Sequence, residues 1–214
     1  MQIYLEETDF LDFNNTNFIN FLKNHDNKEN TLQQAISLYE YVRDYFLYDP
    51  YHLDLRKDSL TVSNIVLKKR AWCVEKSIVL CACFRRNKIP ARLGFAVVTN
   101  HIGVEKLTTY LKRPEIVFHG FVEAYLDNKW VKCTPAFDRR ICSFNKVDVL
   151  SWDGKTDSLF QEFSKGQKYM SYNNFYGVYD DVPLELMNLE MKKYYPHLFE
   201  SSFESREFSF HHNL

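Results

Sequence analysis

One stretch of the sequence decides the fold: Arg70-Ala71-Trp72-Cys73-Val74-Glu75-Lys76-Ser77, continued through Phe84-Arg85-Arg86 to Lys88-Ile89-Pro90-Ala91-Arg92. Apolar residues recur at helical spacing from Cys73 to about residue 87, and they form a stripe wide enough to predict a helix buried on most sides. The pattern then changes to that of a strand over residues 92–98. A cysteine therefore stands in the first turn of the predicted central helix.

The position of Cys73 makes it a candidate nucleophile. A helix N-terminus presents unpaired N–H groups and a partial positive charge, which favour the ionised form of a nearby thiol. The thiolate is the nucleophilic form of cysteine. Taken alone, however, a free cysteine is more often a small buried apolar residue, so a second chemical group is needed to support catalysis.

The bulk composition limits the possible classes of protein. The chain has 214 residues, 45% of them hydrophobic, and a formal net charge of −1, so no overall charge attracts nucleic acid or anionic lipid. Five cysteines, an odd number, argue against a disulfide framework, and Cys81 and Cys83 point to different sides of a helix, which argues against a metal site. We expect a cytoplasmic protein without cofactor or metal, and without a membrane or nucleic-acid partner.

The order of elements predicts an α+β fold. Helices are predicted over residues 15–24, 31–47, 58–69 and 183–195, with Thr31 and Gln34 forming a capping box. Strands are predicted over residues 92–98, 116–126 and 129–134. We expect a single domain over residues 1–214, with its core at about 31–150 and an aromatic-rich extension at 151–214 that packs irregularly over the sheet and forms a lid over the cleft.

A histidine on the second predicted strand supplies the second chemical group. Asp127-Asn128 suits a two-residue hairpin turn, which places His119 opposite Ala136 and makes Thr134 and Asp138 its diagonal neighbours. An imidazolium stabilises a thiolate and protonates a leaving amine, and a partner on the other ring nitrogen fixes its orientation. Either Thr134 or Asp138 can be that partner.

Three ordered motifs resemble those of the transglutaminase-like superfamily. They are the cysteine motif at residues 72–92, the histidine motif Phe118-His119-Gly120-Phe121-Val122-Glu123-Ala124-Tyr125, and the segment Trp130-Val131-Lys132-Cys133-Thr134-Pro135. The resemblance covers roughly residues 31–138. It implies a papain-like fold with the catalytic cysteine on the central helix, Cys73 as nucleophile and His119 as base.

The resemblance implies thiol acyl transfer or amide hydrolysis on a peptide or glutamine-type amide, with hydrolysis preferred and the oligomeric state left open. The family aspartate is replaced by Thr134, so we expect Asp138 to act as its substitute. Two alternatives remain. One is a catalytically silent binding module, which Thr134 favours. The other is an arylamine N-acetyltransferase, which is less favoured because Arg-Gly-Gly precedes the cysteine in those enzymes, whereas this chain has Arg70-Ala71-Trp72.

Overall fold

The computed structural model describes residues 1–25, 30–100, 105–159, 162–163, 167–168, 170–200 and 207–209. Within them, the helices are α1 (Thr16–Leu22), α2 (Thr31–Tyr45), α3 (Val62–Ile65), α4 (Cys73–Arg86), α5 (Glu105–Leu111), α6 (Arg139–Phe144), α7 (Leu184–Tyr194) and α8 (Pro196–Glu200). The strands are β1 (Leu47–Tyr48), β2 (His52–Asp54), β3 (Arg70–Ala71), β4 (Ala91–Asn100), β5 (Glu115–Leu126), β6 (Lys129–Cys133), β7 (Glu162–Phe163), β8 (Gln167–Lys168), β9 (Met170–Tyr179) and β10 (Glu207–Ser209).

The fold is α+β, as the sequence predicts. Its main sheet has four antiparallel strands in the order β6-β5-β4-β9, and α4 packs against β4 and β5 as well as against α2. Every residue of α4 from Cys73 to Arg85 is buried, which confirms the prediction of a central helix enclosed on most sides. Among the described helices, none combines the length and apolar character needed to cross a membrane.

The hairpin between β5 and β6 has the predicted register. Leu126 pairs with Lys129, and Asp127 and Asn128 have φ angles of 47° and 65°, as a two-residue turn with two left-handed positions requires. The ladder ends where Val122 pairs with Cys133. The predicted pairing of His119 with Ala136 therefore lies beyond the ladder, and the chain after Cys133 leaves the direction of β6.

A β-bulge lies immediately before His119. Ala96 pairs with His119 and Val98 pairs with Ile116, so two residues of β5 oppose one residue of β4. Within the bulge Phe118 has φ +58°, a left-handed conformation that is rare for a bulky residue. Bulges of this kind change the direction of the neighbouring side chain, and here that side chain is the candidate base.

Helix boundaries near the site differ from the predictions. The side chain that caps α2 is Asn30, which accepts the N–H of Gln33, so the predicted capping box at Thr31 and Gln34 is wrong. Helix α2 ends at Tyr45, and after its C-cap Phe46 the residues Leu47 and Tyr48 form β1, which pairs with β3 in parallel. The predicted helix over residues 58–69 consists of a 3-10 turn (Asp58–Leu60) followed by the short α3.

The extension contains regular structure that the sequence analysis missed. Its strand β9 pairs with β4 and forms the fourth strand of the main sheet. In this pairing Val178 lies opposite Gly94 and Phe175 lies opposite Ala96. Helix α7 follows Pro183, close to the predicted boundary. The aromatic residues Phe160 and Tyr169 of the extension and the terminal pair His211-His212 lie outside the described residues.

Candidate active site

Cys73 is the first residue of α4, and its side chain is almost completely buried. The helix start is stabilised by Glu75, whose carboxylate accepts the backbone N–H of Trp72 at 3.2 Å and forms an ion pair with Lys68. Burial raises the pKa of the Cys73 thiol to about 11, although backbone N–H groups of Gly120, Val74 and Cys73 itself act in the opposite direction. Here desolvation outweighs the stabilisation that a helix N-terminus gives to a thiolate.

Gly120 permits the close approach of α4 to β5. A Cβ atom at position 120 would lie 3.0 Å from Val74 Cα and 3.1 Å from the Cys73 carbonyl oxygen, so a side chain at this position would separate the helix from the strand. The sequence carries a signal for this contact, since a glycine inside a strand often marks close backbone approach. The glycine therefore sets the distance between the cysteine and the strand that carries the histidine.

His119 is fully buried and is held by Thr134. The Thr134 Oγ1 atom lies 3.3 Å from His119 Nε2 and donates its hydrogen to the Gly120 carbonyl oxygen at 3.2 Å. Because a hydroxyl has one hydrogen, Oγ1 accepts from the imidazole, which places the ring hydrogen on Nε2. The lone pair then lies on Nδ1, a buried atom without a hydrogen-bond partner among the described residues.

Two residues connect Cys73 with His119. Gly120 follows His119 in β5 and packs closely against the Cys73 backbone, and its N–H acts to lower the pKa of the Cys73 thiol. The Tyr172 ring of β9 stands edge-on to the His119 ring at 5.8 Å between centroids. Burial, and then the negative charge of a nearby Cys73 thiolate, raise the pKa of Tyr172. The cysteine and the histidine therefore share two neighbours and belong to one buried site, which Tyr172 completes from a strand that the sequence analysis did not predict.

The charge state of this site differs from the thiolate–imidazolium pair expected from the sequence. Burial lowers the pKa of His119 to about 4, while the pKa of the Cys73 thiol is raised to about 11. Both shifts disfavour the charged forms. At neutral pH the enclosed site therefore holds a neutral thiol and a neutral imidazole.

Asp138 has a different position from the one expected of a substitute for the family aspartate. It is the N-cap of α6, where Oδ1 accepts the N–H groups of Arg140 at 2.9 Å and Ile141 at 3.3 Å. Its Oδ2 accepts the N–H of Tyr48 at 2.7 Å. The imidazole is therefore contacted by Thr134 and not by Asp138. The chain turns away after β6, which directs Asp138 toward α6 and β1.

Lys76, one turn after Cys73 on α4, is a buried residue that the sequence analysis did not single out. Its Nζ atom donates to three backbone carbonyl oxygens, those of Arg43 at 2.7 Å, Ala136 at 2.8 Å and Phe46 at 3.4 Å. Burial lowers its pKa to about 7. These bonds tie the end of α2 and the segment after Thr134 to the central helix.

A small pocket, with a cavity volume of about 30 Å³, is lined in part by the cysteine. Cys73 and Trp72 form one part of its wall, Leu107 and Leu111 of α5 another, and Met191 of α7 with Tyr195 a third. The extension therefore forms part of the wall beside the sulfur. Neither α5 nor this pocket was predicted, since the residues that line it come from distant segments.

Comparisons with known proteins show the family of this chain. The family model described as "Transglutaminase-like superfamily" matches residues 20–135, more than half of the chain. A structure of a candidate cysteine protease from Cytophaga hutchinsonii is similar at 15% sequence identity with a TM-score of 0.46, over 82% of this chain and 53% of that one. This chain thus spans about half the length of that relative, and no curated protein matches it. On the family match, this protein belongs to the transglutaminase-like superfamily.

Proposed function

We propose that this protein is a cysteine enzyme that cleaves an amide bond through a thioester on Cys73, with His119 as the base. The observation that carries the proposal is the state of the imidazole: Thr134 holds Nε2, and the Nδ1 lone pair lies buried without a partner among the described residues. Buried polar atoms are nearly always paired. Nucleophilic catalysis by a cysteine requires a basic nitrogen that can take the proton of the thiol, and His119 Nδ1 lies in the same buried site as Cys73.

In the proposed reaction, His119 Nδ1 takes the proton of the Cys73 thiol while the sulfur attacks the carbonyl carbon of the amide. The C–S bond forms, the C–N bond breaks, and the imidazole gives the proton to the leaving amine. N–H groups at the start of α4 can stabilise the negative oxygen of the tetrahedral intermediate. The low basicity of His119 suits this cycle, because a neutral imidazole is already present at neutral pH.

Hydrolysis completes the cycle with water as the second reactant. The same imidazole removes a proton from water as its oxygen attacks the thioester, the C–S bond breaks, and the sulfur recovers the proton. The net reaction converts an amide and water into a carboxylic acid and an amine. A second amine in place of water would give acyl transfer, but none of the residues named at this site forms an amine-binding group, so hydrolysis is the proposed outcome.

The second candidate function is a catalytically silent binding module on the same fold. It is favoured by Thr134, which cannot stabilise an imidazolium by charge, and by the burial that keeps the thiol protonated. In that case the pocket would bind a ligand without forming a thioester. The two candidates differ in one observable property, the dependence of Cys73 acylation on His119.

Single-turnover acylation by 4-nitrophenyl butyrate, followed by intact-protein mass spectrometry and peptide mapping, tests the proposal. We expect one butyryl group on Cys73, with the rate lowered about 100-fold or more in His119→Gln, since a positioned general base contributes roughly 10²–10⁴-fold. His52→Gln, at an exposed histidine, is the matched control and should change the rate less than twofold. Absence of acylation at Cys73, or equal rates in the two histidine variants, would favour the silent module.

A further inference from the structure

The pocket beside Cys73 is built almost entirely from apolar side chains. Leu107 and Leu111 come from α5, Met191 from α7, and Ile116 and Val117 from the start of β5. None of its lining residues carries a charge. A group that enters this pocket leaves water without meeting a counter-charge, which favours uncharged apolar groups.

From this chemistry we infer that the acyl part of the substrate is a hydrophobic chain, either an apolar side chain or a short fatty acyl group, and not a chain that ends in a polar group. The inference rests on the proposed function, because it requires that Cys73 reacts with a carbonyl group. It specifies the acyl group, which the family resemblance leaves open. Cys73 is one of the residues that line the pocket, so a chain bound there has its carbonyl group near the nucleophile.

Two polar groups of the wall, on Tyr195 and Trp72, also argue against an acyl chain that ends in a primary amide. Such a chain brings an NH₂ group, which needs an acceptor when buried. The Tyr195 hydroxyl is already used in both directions, as it accepts the Val117 N–H at 2.9 Å and donates to the Glu115 carbonyl oxygen at 2.7 Å. The buried Trp72 Nε1 has no hydrogen-bond partner among the described residues, but an indole N–H only donates.

The size of the pocket limits the length of the chain. Its cavity volume of about 30 Å³ is far below the roughly 300–1,000 Å³ typical of ligand sites. This space suits a small apolar group or the first few methylene groups of a chain. Each methylene that enters should increase the acylation rate about fourfold, since its burial is worth about 0.8 kcal/mol.

Two 4-nitrophenyl esters of matched length test the inference on the intact protein. Hexanoate carries an apolar end, and 4-carbamoylbutanoate carries a polar primary amide at the same distance from the ester carbonyl. Rates of Cys73 acylation are divided by the rates of the same esters with N-acetylcysteine, which removes differences in intrinsic reactivity. We expect hexanoate to react at least tenfold faster than 4-carbamoylbutanoate, and faster than acetate by a similar factor.

Variants of one helix connect the preference to the pocket. Met191→Ala enlarges the pocket and should shift the preference from hexanoate toward octanoate by about fivefold or more, whereas Leu189→Ala on the exposed side of α7 should leave it unchanged. Leu107→Asn introduces an amide that can accept the NH₂ group, so it should reduce the hexanoate preference even if Met191→Ala fails to fold. It therefore tests the same wall independently.

The outcomes separate the inference from the proposed function. If none of the esters acylates Cys73, the proposed function fails and the inference fails with it. If Cys73 is acylated but the wild-type protein prefers 4-carbamoylbutanoate or reacts with the two matched esters equally, the proposed function stands and the inference is overturned. An identical shift of the preference from hexanoate to octanoate in Met191→Ala and Leu189→Ala would also overturn the inference, because the pocket would then not determine which ester reacts faster.

Discussion

Two buried polar regions surround Cys73 and Lys76, which lie one helical turn apart on α4. They differ in how many of their polar groups have hydrogen-bond partners. Around Lys76 and Asp138, the ammonium group donates to three carbonyl oxygens and the carboxylate accepts three backbone N–H groups. Around Cys73, three buried polar atoms have no hydrogen-bond partner among the described residues: His119 Nδ1, Ser77 Oγ and Trp72 Nε1. Both regions are almost inaccessible to solvent.

This difference distinguishes a region that stabilises the fold from a region that is available to react with a substrate. A buried polar group that lacks a partner costs free energy of folding, so such groups require an explanation when they cluster. In the Lys76 region the bonds join separate segments or cap α6, which is a structural task. In the Cys73 region the atoms without a partner among the described residues include His119 Nδ1, the proposed base. We therefore expect substitutions in the first region to change stability and substitutions in the second to change reactivity.

Lys76→Met should give the largest loss of stability. It leaves the carbonyl oxygens of Arg43, Phe46 and Ala136 buried without this donor, and each unsatisfied group costs about 1–3 kcal/mol. We expect the free energy of unfolding in urea to fall by about 3 kcal/mol or more. The control is Lys192→Met on the exposed surface of α7, with a change within about 0.5 kcal/mol. Similar values for both variants would contradict the structural assignment of Lys76.

The pH dependence of stability tests the burial of His119. Its pKa falls from 6.5 to about 4 on folding, so the folded state resists protonation that the unfolded chain accepts. The stability contributed by the neutral ring is complete above pH 6.5 and decreases as the pH falls toward 4. The loss amounts to roughly 3 kcal/mol at pH 4.

The measurement for this prediction is the difference between two urea unfolding curves as a function of pH. His119→Gln removes the titrating group, so its stability should decline less steeply than that of the wild-type protein between pH 6.5 and 4. Carboxylates titrate in both proteins and cancel in the difference. Parallel declines would show that the imidazole is accessible to protons in the folded state.

Asp138→Ala tests directly whether this carboxylate is structural or catalytic. It removes the N-cap of α6 and the acceptor of the Tyr48 N–H, which should lower stability by about 1–3 kcal/mol. The rate of Cys73 acylation by 4-nitrophenyl butyrate should stay within threefold of the wild-type rate in urea-free buffer. A decrease of 100-fold in a variant that remains folded would restore Asp138 to the catalytic site.

Thr134→Val should have the smallest effect, and it affects the orientation of the imidazole. The valine keeps the shape but removes the hydroxyl that contacts His119 Nε2 and the Gly120 carbonyl oxygen. We expect a decrease of about tenfold in the acylation rate, equivalent to about 1.4 kcal/mol, while Thr134→Ser retains the hydroxyl and most of the rate. Equal rates for the valine and serine variants would show that Thr134 does not position the ring.

The sequence predicted the parts of the fold that follow from local pattern. The wide apolar stripe of α4 and the Asp127-Asn128 turn each determine their own structure, and the observed helix and hairpin match them. The predicted register made Thr134 and Asp138 alternative neighbours of His119, and in the structure the Thr134 hydroxyl lies 3.3 Å from His119 Nε2. Asp138 was misplaced because the same register was extended beyond Cys133, where the ladder ends.

The features that were missed depend on contacts between distant segments. Strand β9 carries aromatic residues without clear alternation, so its pairing with β4 and the contribution of Tyr172 to the site were not visible in the pattern. The bulge at Phe118 and the neutral charge state of Cys73 and His119 also have no local signal. The first depends on the pairing of two strands, and the second depends on burial by the whole fold.

The pH profile of Cys73 acylation tests the central claim most directly. If His119 serves as the base, the rate with 4-nitrophenyl butyrate should be nearly constant from about pH 5 to pH 8 and should decrease only as the imidazole becomes protonated near pH 4. An unassisted thiol with a pKa near 11 would instead react about tenfold faster with each pH unit throughout this range. A flat profile supports the cysteine–histidine mechanism, and a steadily rising profile contradicts it.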